Sequence, residues 1–161
     1  MERYPIEEMS EEQYQAYRES CDSRSSAEFR LRRESCGIAL DELADELGVR
    51  LDTAKRWENP KYGSPPSIRA WAVVDACYDR LMDSVNAAID QVEDIADEFG
   101  GEPTVHVAYR RGSMPTRDGE SVAQANAAAR TAVAALRAMG WSVAVEWADE
   151  GAASLAVRAP R

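Results

Sequence analysis

The spacing of apolar residues changes once along this chain, at Gly100-Gly101, and that change constrains the fold more than any other feature. Before the two glycines, apolar residues recur every three or four positions, which is the period of an amphipathic helix. After them, short stretches alternate apolar and polar residues, which is the period of a strand. The sequence therefore predicts an α+β protein with a helical N-terminal part and a C-terminal sheet.

Four short helices are predicted before residue 64. Ser10 with Gln13 and Ser25 with Glu28 have capping-box spacing, which indicates the starts of the first two. Gly48 is placed to end the third helix in the left-handed conformation, and a proline at residue 60 ends the fourth. The third and fourth helices each have one predicted apolar face, formed by Leu40, Leu43, Ala44 and Leu47 and by Leu51, Ala54 and Trp57.

A long helix is predicted to begin at Ser64, Pro65 and Pro66 and to run through Phe99. Its apolar residues recur in alternating steps of three and four, as in a heptad seam: Trp71, Val74, Tyr78, Leu81, Val85, Ala88, Val92, Ile95 and Phe99. Two partners fit such a seam, the core of this chain or a second copy of it. The opposite face is predicted to be a solvated acidic surface, formed by Asp75, Asp79, Asp83, Asp90, Asp94 and Asp97.

The C-terminal part is predicted to be a β-α-β-β module. Its strands centre on Val107, Val145 and Val157, and an alanine-rich helix that Gly140 ends lies between the first two. The crossover makes the first two strands parallel, and "ADEGAA" is predicted to close an antiparallel hairpin between the second and third. A three-stranded sheet has open edges, so we expect a homodimer held by residues after Ser67.

Residues 29–60, "FRLRRESCGIALDELADELGVRLDTAKRWENP", resemble the Cro/CI-like (XRE) helix-turn-helix family. The family pattern is an arginine-bearing first helix, then LA…LGV, then a recognition helix that ends near WEN. The resemblance implies a helix-turn-helix fold and binding to double-stranded DNA as a dimer. It also implies a set of DNA-contacting residues: Arg32, Arg33, Arg50, Leu51, Asp52, Thr53, Lys55, Arg56 and Lys61.

Three positions depart from the family pattern. Ala39 and Leu40 stand where relatives have Ser or Thr followed by Gln, so one of the family's phosphate-binding positions is absent here. Pro60 replaces the usual glycine after WEN and changes the loop that follows.

Asp52 has two possible roles. It could accept a hydrogen bond from cytosine in the DNA, or it could be the N-cap residue of its own helix, and the sequence favours the N-cap.

The formal charge of −10 opposes DNA binding, but the charge is uneven along the chain. Residues 24–66 carry 8 basic and 8 acidic side chains, whereas residues 67–102 carry 2 and 9. Exposed charges more than about 10 Å apart are largely screened at 0.1 M salt, so the local charge decides at a contact surface. The global charge therefore weakens the DNA hypothesis without excluding it.

No enzyme, cofactor or metal site is predicted. Cys21, Cys36 and Cys77 lack the spacing of a zinc site or a disulfide framework. The single histidine, His106, is predicted on the polar face of a strand, and the loop 110–121 is predicted to be an ordinary connection in preference to an anion site. No leader or membrane-spanning segment is recognised, so a cytoplasmic protein is expected.

The predicted organisation is a helix-turn-helix domain with an extra N-terminal helix (1–66), a long connecting helix (67–101) and a β-α-β-β module for dimerisation or partner binding (102–161). Two functions fit it. The favoured one is a prokaryotic or phage transcriptional regulator, a repressor that reads an operator as a dimer. The alternative is a helix-turn-helix scaffold that binds another protein, such as an antitoxin or an inhibitor.

Overall fold

The computed structural model describes residues 5–112, 120–149 and 155–158, and within these ranges the protein combines six α-helices with a small sheet. The mixed helix and sheet class predicted from the sequence is confirmed. The chain divides into two compact units, Met1–Arg80 and Leu81–Arg161, and the longest helix contributes residues to both. The elements are α1 (Glu11–Ser23), α2 (Ser26–Ser35), α3 (Leu40–Leu47), α4 (Leu51–Trp57), α5 (Ile68–Phe99), β1 (Thr104–Tyr109), α6 (Val122–Ala138), β2 (Val143–Trp147) and β3 (Leu155–Arg158).

The predicted helix ends of the first unit are confirmed where local chemistry specifies them. The Ser10 hydroxyl accepts from the N–H of Gln13 at 3.2 Å, and the Gln13 side chain accepts from the N–H of Ser10 at 2.9 Å. Gly48 has a φ of +65°, the left-handed conformation that ends α3 at little steric cost for glycine. A 3-10 turn, Pro60–Tyr62, follows α4.

The start of α5 differs from the prediction. The helix begins at Ile68, because the hydroxyl of Ser67 accepts from the N–H of Ala70 at 3.1 Å and so satisfies a free donor of the first turn. Ser64 and the two prolines precede the helix and are not part of it. The predicted end at Phe99 is confirmed.

The core of the first unit is built around Phe29. Its ring makes edge contacts with Trp57 at 6.3 Å and with Trp71 at 5.0 Å between centroids. Edge-to-face packing of this kind stabilises a pair by about 0.5–1.5 kcal/mol beyond the area it buries. Leu43 and Ala54 are fully buried as predicted, whereas Leu51, which was predicted to share the apolar face of α4, remains 38% exposed.

The α5 seam is buried within this chain along most of its length, although Phe99 at its end is 56% exposed. The acidic face is exposed as predicted at Asp79, Asp83, Asp90, Asp94 and Asp97. Asp75 is the exception, because it is only 4% exposed and lies among arginines of the preceding helices. Helical periodicity places Asp75 on the polar face but cannot show that another element covers that position.

The sheet of the second unit has the order β2-β1-β3. β1 and β2 are parallel, as the α6 crossover predicts, with Val105 opposite Val143 and Val107 opposite Val145. One face of the sheet packs on α5 and α6. This core consists of Val92, Val105, Val107, Ala129 and Leu136.

The predicted hairpin between the second and third strands is wrong. β3 pairs antiparallel with β1, with His106 opposite Ala156, and not with β2. β1 is thereby the central strand: its backbone has a partner on each side, and Val105 and Val107 are at most 1% exposed. Most of "ADEGAA", residues 150–153, lies outside the described residues, as do residues 113–119 of the predicted ordinary loop.

Candidate nucleic-acid interface

Helix α4 has one buried side and one charged side. Ala54 and Trp57 are at most 5% exposed and face the core. The opposite side projects into solvent and is called here the α4 surface. It consists of Arg50, Leu51, Asp52, Lys55 and Arg56, all of them exposed.

Two cations of the α4 surface, Arg50 and Lys55, form no ion pair with any residue in the described ranges. Arg56 lies over the ring of Tyr62 at 5.6 Å, an aromatic contact that leaves its charge available. Thr53 is half-buried and Lys61 is exposed in the turn that follows. Of the predicted contact residues, seven therefore lie on or next to α4.

The expectation that Asp52 caps α4 is wrong. The N-cap position is Arg50, which makes no capping hydrogen bond through its side chain. Asp52 lies in the first helical turn, where a carboxylate is favoured by the positive end of the helix dipole. The backbone conformation at Arg50, and not the Asp-Thr pattern, therefore sets the start of the helix.

A buried ion pair fixes α2 to the end of α4. The guanidinium of Arg33 donates to both carboxylate oxygens of Glu58, at 2.5 Å and 3.0 Å, and also to the C=O of Ile38 at 2.6 Å. The side chains of Arg33 and Glu58 are 9% and 8% exposed. Two parallel hydrogen bonds of this kind restrict orientation as well as distance. The pair thus positions α4, and because Arg33 is only 7% exposed, little of its guanidinium can meet a phosphate.

Arg32 is also engaged inside the first unit. It donates to Glu28 at 2.7 Å and to Asp75 at 3.1 Å, and it lies over the ring of Tyr78 at 4.7 Å. Burial alone would lower its pKa, but the hydrogen bond to Glu28 and the charge of Asp75 outweigh burial, so the pKa of Arg32 lies above its ordinary value. Arg32 is therefore part of the packing of α2 against α5.

Asp75 is the centre of this second cluster. It accepts two hydrogen bonds from Arg24, both at 2.9 Å, and one from the hydroxyl of Tyr17 at 2.8 Å. Burial, together with the hydrogen bond to Asp75 and its negative charge, raises the pKa of Tyr17 well above its ordinary value. The guanidinium of Arg24 also lies over Trp71 at 3.9 Å. The sequence patterns did not indicate this cluster, because its members are far apart in the chain.

Arg30 is an exposed cation of α2 that the sequence analysis did not select. It lines an open groove of about 470 Å³ together with Lys55, Asn59 and Pro60. The Arg30 side chain is 58% exposed and donates to Glu34 at 2.8 Å, and this hydrogen bond raises its pKa. An exposed ion pair of this kind contributes little to stability, so Arg30 can exchange Glu34 for another anion. The spacing of four residues between Arg30 and Glu34 is a sequence signal for an exposed helix face, but it cannot show that this face borders a groove.

The N-terminus of α3 is already occupied by carboxylates. Ala39 is the N-cap and has no side-chain acceptor, and its own N–H lies 3.4 Å from Glu42 Oε2. Asp41 Oδ1 accepts from the N–H of Glu42 at 3.0 Å. These negative charges stand at the helix end where a phosphate would otherwise be favoured. This end of α3 therefore disfavours a phosphate.

The described residues contain no group of three or more His, Cys, Asp or Glu side chains that could hold a metal ion. His106 lies on the polar face of β1, as expected, with its Nδ1 2.8 Å from Glu146 Oε1. Within the same ranges, no helix combines the length and apolar composition needed to span a bilayer. Comparisons with known proteins find no matching family model, curated protein or solved structure.

Proposed function

We propose that this protein is a DNA-binding transcriptional regulator, a repressor that reads an operator through a helix-turn-helix formed by α3 and α4 and that binds as a dimer. The observation that supports it best is the α4 surface, where Arg50, Lys55 and Arg56 project from a short helix whose other side is held in the core. A helix presented in this way can enter a major groove about 12 Å wide.

The exposed residues of α4 have separate roles in this proposal. Arg50 stands at the start of the helix, from which a guanidinium can bind guanine through two hydrogen bonds. Leu51 offers an exposed apolar side chain for a thymine methyl group, and Asp52 can accept from cytosine N4. Lys55 and Arg56 lie further along the helix and meet phosphates.

Two flanking cations complete the proposed phosphate contacts. Lys61 follows α4 and is exposed, and Arg30 shares an open groove with Lys55. Both can reach the backbone of a duplex whose groove holds α4. Arg32 and Arg33 take no part, because their guanidinium groups bind carboxylates within the protein.

A specific observation favours a second candidate, a helix-turn-helix scaffold that binds another protein as an antitoxin or inhibitor would. Asp41 and Glu42 place negative charge at the N-terminus of α3, next to the surface that would face DNA. The net charge of −10 also disfavours binding to DNA. On this reading Leu51, 38% exposed, is the apolar centre of a protein contact.

Titration with a random duplex at about 50 mM salt separates the two candidates. A DNA-binding protein should show non-specific affinity of about 10⁻⁴ to 10⁻⁶ M or tighter, with log K falling linearly as log salt rises. The double variant Lys55→Ala, Arg56→Ala should make that slope shallower by roughly 0.9 for each phosphate that the variant no longer binds. Its matched control is Arg18→Ala, Arg69→Ala, which removes the same charge from exposed positions on α1 and α5.

Arg50→Ala tests base reading separately. On a selected operator it should cost about 1–3 kcal/mol and relax the preference at one base pair, with little effect on random DNA. If Arg50, Lys55 and Arg56 can all be replaced by alanine without a change in slope or affinity, the regulator proposal fails and the scaffold remains.

A further inference from the structure

Among the described residues, no strand pairs with the outer edge of β2, and the side chains along that edge are apolar, a combination that edge strands usually avoid. We propose that β2 pairs antiparallel with β2 of a second copy of this chain, across a two-fold axis at Val145, and that this pairing forms the dimer. The inference rests on the proposed function only in choosing a second copy as the partner, since a protein that reads an operator with two half-sites binds as a two-fold dimer.

The backbone of β2 defines which groups are open. The C=O of Ser142 accepts from the N–H of a β1 residue at 3.1 Å, and the N–H of Ala148 donates to a β1 carbonyl at 2.9 Å. Backbone groups of successive residues point to opposite sides of a strand, so the residues with even numbers face β1. The N–H and C=O groups of Val143, Val145 and Trp147 therefore point away from the sheet.

The side chains along the same edge are apolar and incompletely covered. Val145 is 46% and Trp147 is 63% exposed, although Tyr109 makes an edge contact with Trp147 at 6.2 Å. Natural edge strands are commonly protected by lysine, proline or a bulge. The β2 sequence, VAVEW, contains neither lysine nor proline, and its pairing with β1 is in continuous register. The edge is thus suited to pairing with another strand.

The sequence of β2 is complementary to itself in the antiparallel direction. With the two-fold axis at Val145, the two Val145 residues face each other and Trp147 faces Val143 of the second copy. Both pairs lie on the face that already packs on α6, where cross-strand apolar pairs stabilise a sheet. The single charge of the strand, Glu146, lies on the other face and stands opposite Ala144 of the second copy.

The charges at the ends of this pairing are also complementary. Arg137 at the end of α6 donates to the C=O of Val143 at 3.2 Å, on the outer edge of β2. In the dimer the N–H of Trp147 from the second copy takes that carbonyl, and Arg137 is released. Asp149, exposed and two residues beyond Trp147, then lies beside Arg137 of the other copy. Each end of the paired strands therefore gains an ion pair.

The first test uses sedimentation of the full-length protein without DNA. Val145→Pro removes the outward N–H yet keeps the bonds to β1, because proline is tolerated on an edge strand where its nitrogen faces solvent. We expect a dissociation constant raised at least about thirtyfold, as the removal of two hydrogen bonds of about 1 kcal/mol each predicts. The control Val145→Thr keeps the N–H and the branched shape and should remain a dimer. A folded Val145→Pro variant that dimerises like the parent would overturn the proposal.

The second test decides the outcome even if proline unfolds the module. Arg137→Asp should weaken the dimer about tenfold, and the double variant Arg137→Asp, Asp149→Arg should restore it, because the exchanged charges can pair again. Failure of the double variant to restore the dimer contradicts the pairing. If the protein dimerises through β2 but does not bind DNA, only the proposed function is contradicted. If it binds DNA but these variants leave its dimer dissociation constant unchanged, only this inference is contradicted.

Discussion

Replacing Asp75 by asparagine tests whether the buried carboxylate holds α5 against α1 and α2. Asparagine has the same shape and can still accept from Tyr17, but it removes the negative charge that Arg24 and Arg32 share. Asparagine has one oxygen in place of two, so if that oxygen stays with Tyr17, an NH2 group that cannot accept replaces Asp75 Oδ1 opposite Arg24 and Arg32. Arg24 loses its ion pair with Asp75, whereas Arg32 keeps the one with Glu28. The change therefore removes the charge and two hydrogen bonds but little of the packing.

The expected cost follows from the burial of the three partners. Breaking a buried ion pair by removing one member costs about 3–5 kcal/mol. The side chain of Asp75 is 5% exposed, whereas those of Arg24 and Arg32 are 16% and 23% exposed and retain some water. Partial hydration reduces the penalty on the arginines, so we expect the lower end of the range, about 3 kcal/mol, for Asp75→Asn.

Urea denaturation followed by tryptophan fluorescence measures this destabilisation, since Trp71 lies directly under Arg24. With an m value of about 1–3 kcal/mol/M, the midpoint should fall by roughly 1–3 M. The control is Asp79→Asn, an exposed aspartate one turn further along α5, which should change stability by no more than about 0.5 kcal/mol. If the two variants unfold at the same urea concentration, the cluster does not stabilise the first unit and the reasoning is refuted.

Three further predictions concern single residues of the first unit. Trp57→Ala should cost about 3–5 kcal/mol, because the ring is 5% exposed and packs on Phe29, and an unchanged melting temperature would contradict this. Gly48→Ala should cost about 1–2 kcal/mol at a φ of +65°, measured by chemical denaturation against Ala39→Gly as a change without left-handed strain. Burial and the nearby Cys77 raise the pKa of Cys36 from 9.0 to about 12, so the stability it contributes is present at neutral pH and lost as pH rises from about 9 to about 12. Cys36→Ala should flatten that alkaline loss in a pH series of unfolding curves, and an unchanged pH profile would count against it.

Local chemistry made the helices of the first unit predictable from the sequence. A hydroxyl three residues before a glutamine or glutamate and a glycine at a helix end act over a few positions, so Ser10, Ser25 and Gly48 marked boundaries that the structure confirms. The start of α5 was missed because Ser64 and Ser67 both offer a cap. The selection between them depends on which hydroxyl reaches a free N–H.

Interactions between distant parts of the chain were not predictable in the same way. Asp75 has the spacing of a surface residue, and its burial depends on Arg24 and Tyr17, more than forty positions away. The third strand follows the second closely, which favours a hairpin, yet it pairs with β1, whose Val105 and Val107 are fully buried. Arg32 and Arg33 were predicted as DNA contacts from their helix, whereas their partners Asp75 and Glu58 come from other helices.

The position of β1 in the middle of the sheet sets an order of events during folding. Its first strand partner becomes available only after α6 has been made, and its second partner comes later still. Pairing over such separations is slow, because the entropy of closing the loop is spent before the strands can stabilise each other. We therefore expect the helical N-terminal unit to form while β1, an apolar strand, is still unpaired. A chain that is held at this stage, by low temperature or during synthesis on a ribosome, would depend on chaperones to avoid aggregation.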